Sequence, residues 1–325
     1  QSSIALALGR ALEDRRVTGL ALINLAESYR YYAISERTRG TPQKMSRLLH
    51  AWRIADEAVH LFEQTGETLR KVEAWIEVGC ALRDMIRVLN DSGQPVRYLS
   101  RMLYHASAKE VPSDNQATLR QLLEQEGQSD ASGWLERLLA QSQEALEEAE
   151  RVANSTYPHL RLDAAVNKAW LYYYASNHRQ ALTDMLVKLW EQIPEEYLIT
   201  SYGGPKIERG RAQGGIWKQI GKLYLLEGML ALEFMHEEAI LNANVTPSLQ
   251  VVADRFAWAL EYSTLYGEDH RDLRHDEELI YDQLVVLSKQ QLSAVSKVVQ
   301  NIATRHRLGT LAMERFMRES GIWYP

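Results

Sequence analysis

Apolar side chains return at gaps of three and four along almost the whole chain, and that periodicity leaves few ways to fold. Leu48, Ala51, Trp52, Ala55, Ala58, Val59 and Phe62 make one such stripe, and Leu135, Leu138, Leu139, Ala145, Leu146, Ala149 and Val152 make another. A turn of 3.6 residues places each set on one side of a helix. Period-two alternation with β-branched residues is absent over any useful length, so no sheet is expected. Breakers separate the stripes at 40–42, Gly66, 92–95, 112–115, Pro158, Asn177, Pro194, 202–215, Pro247 and Gly267. The expected architecture is all-α, with helices of about 12 to 25 residues joined by short turns into antiparallel hairpins. A long helical run over 276–305 and a shorter helix after it are expected to close the chain.

Composition agrees with a folded protein. Of 325 residues, 46% are hydrophobic and 25% charged, which is enough chain to bury a core without disulfides or metals. Cys80 is the single cysteine, so an intrachain disulfide is excluded and a cysteine zinc cluster is not expected. A reducing, cytoplasmic setting is the natural expectation. The opening residues form a short apolar run broken by Arg10, unlike a secretion signal, and no apolar run is long enough to span a membrane. The chain starts at Gln1 and ends on Trp323-Tyr324-Pro325. We expect a piece of a longer protein, with any catalysis outside it.

Charge is laid out unevenly. Residues 1–55 hold nine Arg or Lys and four acids, whereas 124–150 hold eight acids and one Arg. Residues 297–318 are basic again. These blocks read either as basic patches for an anionic partner or as solvated faces and end-to-end complementarity between neighbouring units. With a net charge of −6 and no clustered recognition motif, nucleic acid is not the expected partner.

Motifs that carry chemistry are sparse. Two histidines, His270 and His275, lie among Asp269, Asp272 and Asp276, but a spacing of five does not share a helical face, so no metal is expected there. No second histidine follows His236-Glu237-Glu238 at the spacing a zinc protease helix needs. A nucleophile elbow and a dinucleotide-binding glycine pattern are both missing from the sequence. The chain is therefore read as a non-enzyme without cofactors. The segment 201–215 is the most unusual stretch: glycines with Lys206, Arg209 and Arg211 lead into the helix that carries Trp217. Flexible amides at a helix start make it a possible anion-binding loop, although the ending of a Walker loop is lacking. A mobile connection is the plainer reading of the same residues.

Internal similarity is the most informative pattern. Trp75, Val78, Gly79 and Leu82 have the spacing of Trp217, Ile220, Gly221 and Tyr224. Leu22, Leu25, Ala26 and Tyr29 repeat it, as do Ala165, Lys168, Ala169 and Tyr172 less well. The small third residue lets a second helix approach the backbone closely, while the larger ones fill the gap beside it.

These spacings resemble the tetratricopeptide repeat (TPR). The resemblance covers most of 1–270, with 115–155 a degenerate repeat or an insertion, and leaves 271–325 as a long helix plus a capping helix. Signature starts at 22, 75, 165 and 217 depart from the family's period of about 34, which implies lengthened helices. The family implies an α-solenoid of antiparallel hairpins wound into a right-handed superhelix with a concave groove. Irregular repeats of this kind are similar to the sensor arms of bacterial STAND-type signalling ATPases and to peptide-pheromone receptors.

In TPR proteins, ligand contacts come five, eight and nine residues after the signature start. Carried over, these positions are Glu27, Arg30 and Tyr31; Cys80, Arg83 and Asp84; Trp170, Tyr173 and Tyr174; and Lys222, Leu225 and Leu226, with Lys218 also facing inward. Cations mixed with aromatics suit a protein or peptide ligand, while Trp170 and its neighbours also suit mere packing of the array. The resemblance implies a binding module, the sensor or scaffold arm of a larger signalling protein. The alternative from a different class is a small-ligand or nucleotide sensor using 201–215.

Overall fold

The structure, a computed structural model, describes residues 2–34, 41–91, 131–175, 179–200, 203–205 and 214–241, together with 255, 258, 259 and 262. Among these residues the chain is helical apart from the turns and one short strand pair. The helices are α1 (Ser2–Ala11), α2 (Arg15–Ile34), α3 (Thr41–Thr65), α4 (Thr68–Asp91), α5 (Ala131–Ala153), α6 (Pro158–Tyr174), α7 (Arg179–Glu191) and α8 (Gly214–Leu241). Two compact units divide the chain, Gln1–Trp190 and Glu191–Pro325.

Local chemistry explains the corners of the first unit. After α1 the backbone turns through Glu13, in the left-handed region at φ +53°. Its N–H donates to the Arg10 carbonyl at 3.2 Å, and that of Asp14 donates to the Gly9 carbonyl at 2.9 Å, the paired bonds that close a helix end. Asp14 then opens α2, its carboxylate accepting from the Val17 N–H at 3.0 Å. Gly66, at φ +72°, turns α3 into α4 with two residues between them. So short a link leaves the two helices antiparallel. Pro158 opens α6 in its first turn, where a missing N–H costs nothing.

Each helix of this unit packs on the next from α1 to α4, α4 packs on α5, and α5 on α6. In addition α2 touches α4 and α4 touches α6. The apolar stripes anticipated from spacing face inward: Leu48, Ala51, Ala55, Ala58, Val59 and Phe62 are buried, as are Leu138, Ala145, Leu146 and Ala149. Leu48, Ala55, Ala58, Val59, Phe62, Leu138, Ala145 and Leu146 join Leu22, Ala26, Val78, Leu82, Met85 and Leu89 in one core that runs from α2 to α6. A smaller cluster of Val72, Ile76, Cys80, Ala153, Leu160 and Ala164 fills the α4–α5–α6 side. The segment expected to be a degenerate repeat or insertion thus contains α5, a full partner of α4 and α6.

Two glycines set how closely these helices approach. A Cβ on Gly19 would lie 2.5 Å from Phe62 Cζ, and one on Gly79 would lie 2.5 Å from Leu146 Cγ and 3.3 Å from the Ser142 carbonyl oxygen. Buried Ser142 completes the Gly79 contact by donating its hydroxyl to the Gly79 carbonyl at 2.8 Å.

In the second unit, α8 is preceded by a single 3-10 turn (Glu195–Tyr197) and by an antiparallel pair, β1 (Ile199–Thr200) with β2 (Gly203–Pro205), in the register Ile199 to Pro205 and Thr200 to Gly203. This corrects the expectation of no sheet. Gly203-Gly204-Pro205 has no alternating apolar pattern, so the pairing rests on backbone bonds that side-chain periodicity does not reveal. Trp217 and Ile220 of α8 are buried, with Tyr197 meeting Trp217 edge to face at 6.1 Å. Tyr224, Trp258 and Tyr262 group nearby, with Arg255 over the Tyr224 ring at 5.4 Å and paired with Glu227 at 3.0 Å. The division expected at 270/271 falls within this unit, and 271–325 lies outside the described residues. No helix among the described residues is long and apolar enough to cross a membrane.

Gly79→Ala tests the close approach. Alanine raises helix propensity by about 1 kcal/mol but drives a methyl into Leu146, an overpacking cost of about 1–3 kcal/mol, so the net expectation is a lower denaturation midpoint. Urea melts of wild type and variant check it; an unchanged or higher midpoint contradicts the packing.

Candidate functional site

A chain of buried charge crosses α2, α4 and α6. Arg30 of α2 forms a two-bond fork on Glu77 of α4, with Nε to Oε2 at 3.0 Å and Nη2 to Oε1 at 3.2 Å. Its Nη1 donates to Asp84 Oδ2 at 3.3 Å. Asp84 Oδ1 accepts from Arg83 Nε at 2.9 Å and Nη2 at 2.7 Å, while Arg83 Nη1 reaches Asn167 Oδ1 on α6. Asn167 in turn donates its amide to Asp163 Oδ1 at 2.7 Å. Arg30 is 5% exposed, Arg83 8%, Asp84 1% and Asn167 2%, so the network is shielded from water along most of its length.

Burial and partners pull the ionisation of these groups in opposite directions. Burial disfavours the charged form of Arg30, but Glu77 and then the other neighbouring groups outweigh it and hold the guanidinium protonated well above its ordinary range. Arg83 behaves likewise, with Asp84 the principal opposing charge. Burial pushes the Asp84 carboxyl up, yet Arg83 and Arg30 overcome this and keep it below its usual value. Cys80, among the same residues, is pushed up by burial to about 11, with Arg83 and Arg30 resisting only in part. Its thiol is therefore protonated at neutral pH and a poor nucleophile.

Aromatic side chains border the network. The Tyr31 ring lies 4.5 Å below the Arg30 guanidinium carbon, and Tyr174 lies 5.3 Å from that of Arg87. Trp170 sits 5.6 Å from both Tyr173 and Tyr174. The Asn90 side chain donates to the Tyr174 carbonyl, joining the ends of α4 and α6. Tyr31, Arg87, Tyr173, Tyr174 and Glu27 are half-buried, so part of each reaches solvent.

The structure therefore gathers the positions carried over from the repeat on α2, α4 and α6, but with a different role for the charged ones. Arg30, Arg83 and Asp84 are not open forks awaiting a carboxylate; close helix packing dehydrates them, and they bond to one another and to Glu77 and Asn167. Cys80 and Trp170 are buried with them. Lys218 and Lys222 are half-buried on α8 in the second unit, where Leu225 and Leu226 are fully buried. Lys206, Arg209 and Arg211 lie outside the described residues, as does the 268–278 histidine and acid cluster. Among the described residues no group of three or more His, Cys, Asp or Glu is placed to hold a metal.

Glu77, Arg87, Asp163 and Asn167 were not anticipated. For α4 a signal was present: Glu77, Cys80, Asp84 and Arg87 follow one another at gaps of three and four, a polar line between two apolar ones. For Asn167 the signal is weaker, because an amide among Arg161, Asp163 and Lys168 on a helix of mixed composition reads as one more solvent position.

A second concavity of about 710 Å³ lies between α1, α2 and α3. Leu6, Leu22, Leu25 and Ile54 give it an apolar base, and Tyr29 meets His50 edge to face at 4.6 Å on its wall. Arg10 and Glu57 face each other across its edge at 2.8 Å.

Compared with protein-family models, curated proteins and solved structures, the chain gives no significant match.

Asp84→Ala is expected to destabilise the protein by about 3–5 kcal/mol, since two buried guanidiniums lose their shared carboxylate; chemical denaturation at pH 7 reads this. Because the folded Asp84 carboxyl titrates below its unfolded value of about 3.9, its contribution is complete above roughly pH 5 and is lost as pH falls through the folded value. The stability gap between wild type and Asp84→Asn should accordingly shrink below pH 4. Native Cys80 should stay unreactive to a disulfide exchange reagent at pH 8 and react once denaturant is added; fast reaction of the native protein would contradict its burial.

Proposed function

We propose that this chain is a TPR-like recognition module that takes a protein or peptide ligand over its inner helices α2, α4 and α6, as the sensor or scaffold arm of a larger signalling protein. The observation that carries the reading is the buried charge chain linking those three helices in order, bordered by half-buried Tyr31, Arg87, Tyr173 and Tyr174. A solenoid of hairpins needs each first helix to touch its own second helix and the next first helix. The contacts α2 with α3 and α4, and α4 with α5 and α6, fit that scheme.

Binding in such a module comes from side chains that are fixed before the ligand arrives, because less freedom is then lost on association. The ion chain supplies the fixing, and the ring faces and the Arg87 guanidinium supply contact area and directional bonds. A non-enzymatic role accords with the same residues: the buried acids and guanidiniums are spent on one another, and the thiol among them is protonated.

Panning a random peptide library on the intact chain tests the proposal. The expected result is an enriched peptide class whose affinity falls tenfold or more, about 1.4 kcal/mol, in Arg87→Ala and in Tyr31→Ala, with the thermal midpoint of each variant within a few degrees of wild type. A library without binders, or binders indifferent to both substitutions, overturns it.

A further inference from the structure

Helices α1, α2 and α3 each turn one side towards a shared cavity of about 710 Å³, a size that suits a small organic molecule. Its base is apolar, formed by Leu22 and Leu25 of α2, Ile54 and Leu61 of α3 and Leu6 of α1. Leu22 and Ile54 belong to the core proper, whereas Leu6, Leu25 and Leu61 are only partly covered by their neighbours. Its mouth is charged. Arg10 stands one turn along α1 from Leu6, and Glu57 lies between Ile54 and Leu61 on α3, so each ion continues an apolar line of its own helix. Arg10 Nη2 donates to Glu57 Oε1 at 2.8 Å, which spans the mouth from wall to wall. So narrow a span excludes a helix, which is about 10 Å across, and leaves room beneath it for a slender molecule.

We propose that this cavity binds a small amphipathic carboxylate, with its apolar body on the leucine base and its head on Arg10. The head is read from Arg10 itself. That guanidinium already holds a carboxylate at the mouth, and among the described residues it does so through one nitrogen, which leaves N–H groups that suit a second carboxylate. Arg53 and His60 on the α3 wall add donors. Both acids of the mouth face a base, Glu57 at Arg10 and Asp56 at His60, 3.7 Å away. An anionic head therefore meets donors in excess, whereas a cationic head would have to compete with Arg10 for Glu57.

Arg10 and Glu57 are 56% and 45% exposed, so their pair contributes little by itself and yields readily to a ligand that shares Arg10. From Arg10 back to Ser3 the α1 wall runs about 10 Å at the helical rise, which matches an extended alkyl chain of medium length. The partly covered leucines gain most from such a chain, since its contact removes their remaining apolar surface from water. No residue of this site carries the peptide reading above, so the two stand or fall separately.

Isothermal titration of the intact chain with decanoate, kept below its micelle concentration, tests this. Wild type should bind decanoate one to one, and should bind 1-decanol, which lacks the charge, at least tenfold more weakly. Arg10→Gln should weaken decanoate binding tenfold or more, and Glu57→Gln, which removes the competing carboxylate, should strengthen it severalfold. Both changes fall on exposed side chains, so the thermal midpoints should stay within a few degrees of wild type. Leu25→Trp, which fills the cavity, should abolish binding, and Leu8→Glu, at an exposed site of α1 outside the cavity, should leave it unchanged. Absence of saturable binding, equal affinity for decanol, indifference to Arg10→Gln, or a loss in Leu8→Glu that moves the amphiphile to the outer side of α1 overturns the proposal.

Discussion

Arg30 lies at the point on which the first unit depends. Its guanidinium bonds to two carboxylates of α4, seven residues apart on that helix, and so fixes both how far α4 slides along α2 and how it is rotated. Arg83 carries the constraint on to α6 through Asn167. Dehydrating these ions is costly, and their mutual attraction offsets that cost only in one arrangement. An apolar interface of the same area holds helices together but tolerates sliding by a turn. Displacement of α4 by a turn would separate Arg30 from Glu77 and Asp84 and leave charges buried without partners.

The glycine contacts are the complement of that network. Phe62 sits over Gly19 and Leu146 over Gly79, each where a single methyl group would not fit. These contacts press α3 onto α2 and α5 onto α4 from one side, and the ions lie where α2, α4 and α6 meet. Tight packing excludes water, and the exclusion of water strengthens every ion pair. The polar and apolar parts of this unit are thus two aspects of one close approach, which also explains why a thiol among two guanidiniums stays protonated.

Much of the candidate site was legible from spacing. Repeat offsets picked out Arg30, Arg83 and Asp84 on two helices 53 residues apart, and the structure brings them into hydrogen-bond contact. Whether such residues face a ligand or one another depends on how near the helices lie, and a one-dimensional offset contains no distance between helices. Glu77 was readable in principle from its place on the polar line of α4. Asn167 was not, since its partner Arg83 lies 84 residues away and no local pattern records the pairing. The strand pair at Ile199–Pro205 escaped for a third reason: its bonds are between backbones.

By itself the sequence determined that the chain is helical, which faces of the helices turn inward, and where several of them stop. Those properties follow from apolar spacing, from Gly66 and Pro158, and from local bonds such as that of Asp14, all of which act within a few residues. Tertiary structure alone decided that Arg30 and Asp84 are sealed in a shared network, that Cys80 is buried with its thiol held protonated, and that Ile4, Leu8 and Leu12 are exposed while Gly9 is buried against α2. Each of these is a matter of desolvation, and desolvation is set by every neighbour at once, most of them distant in the chain.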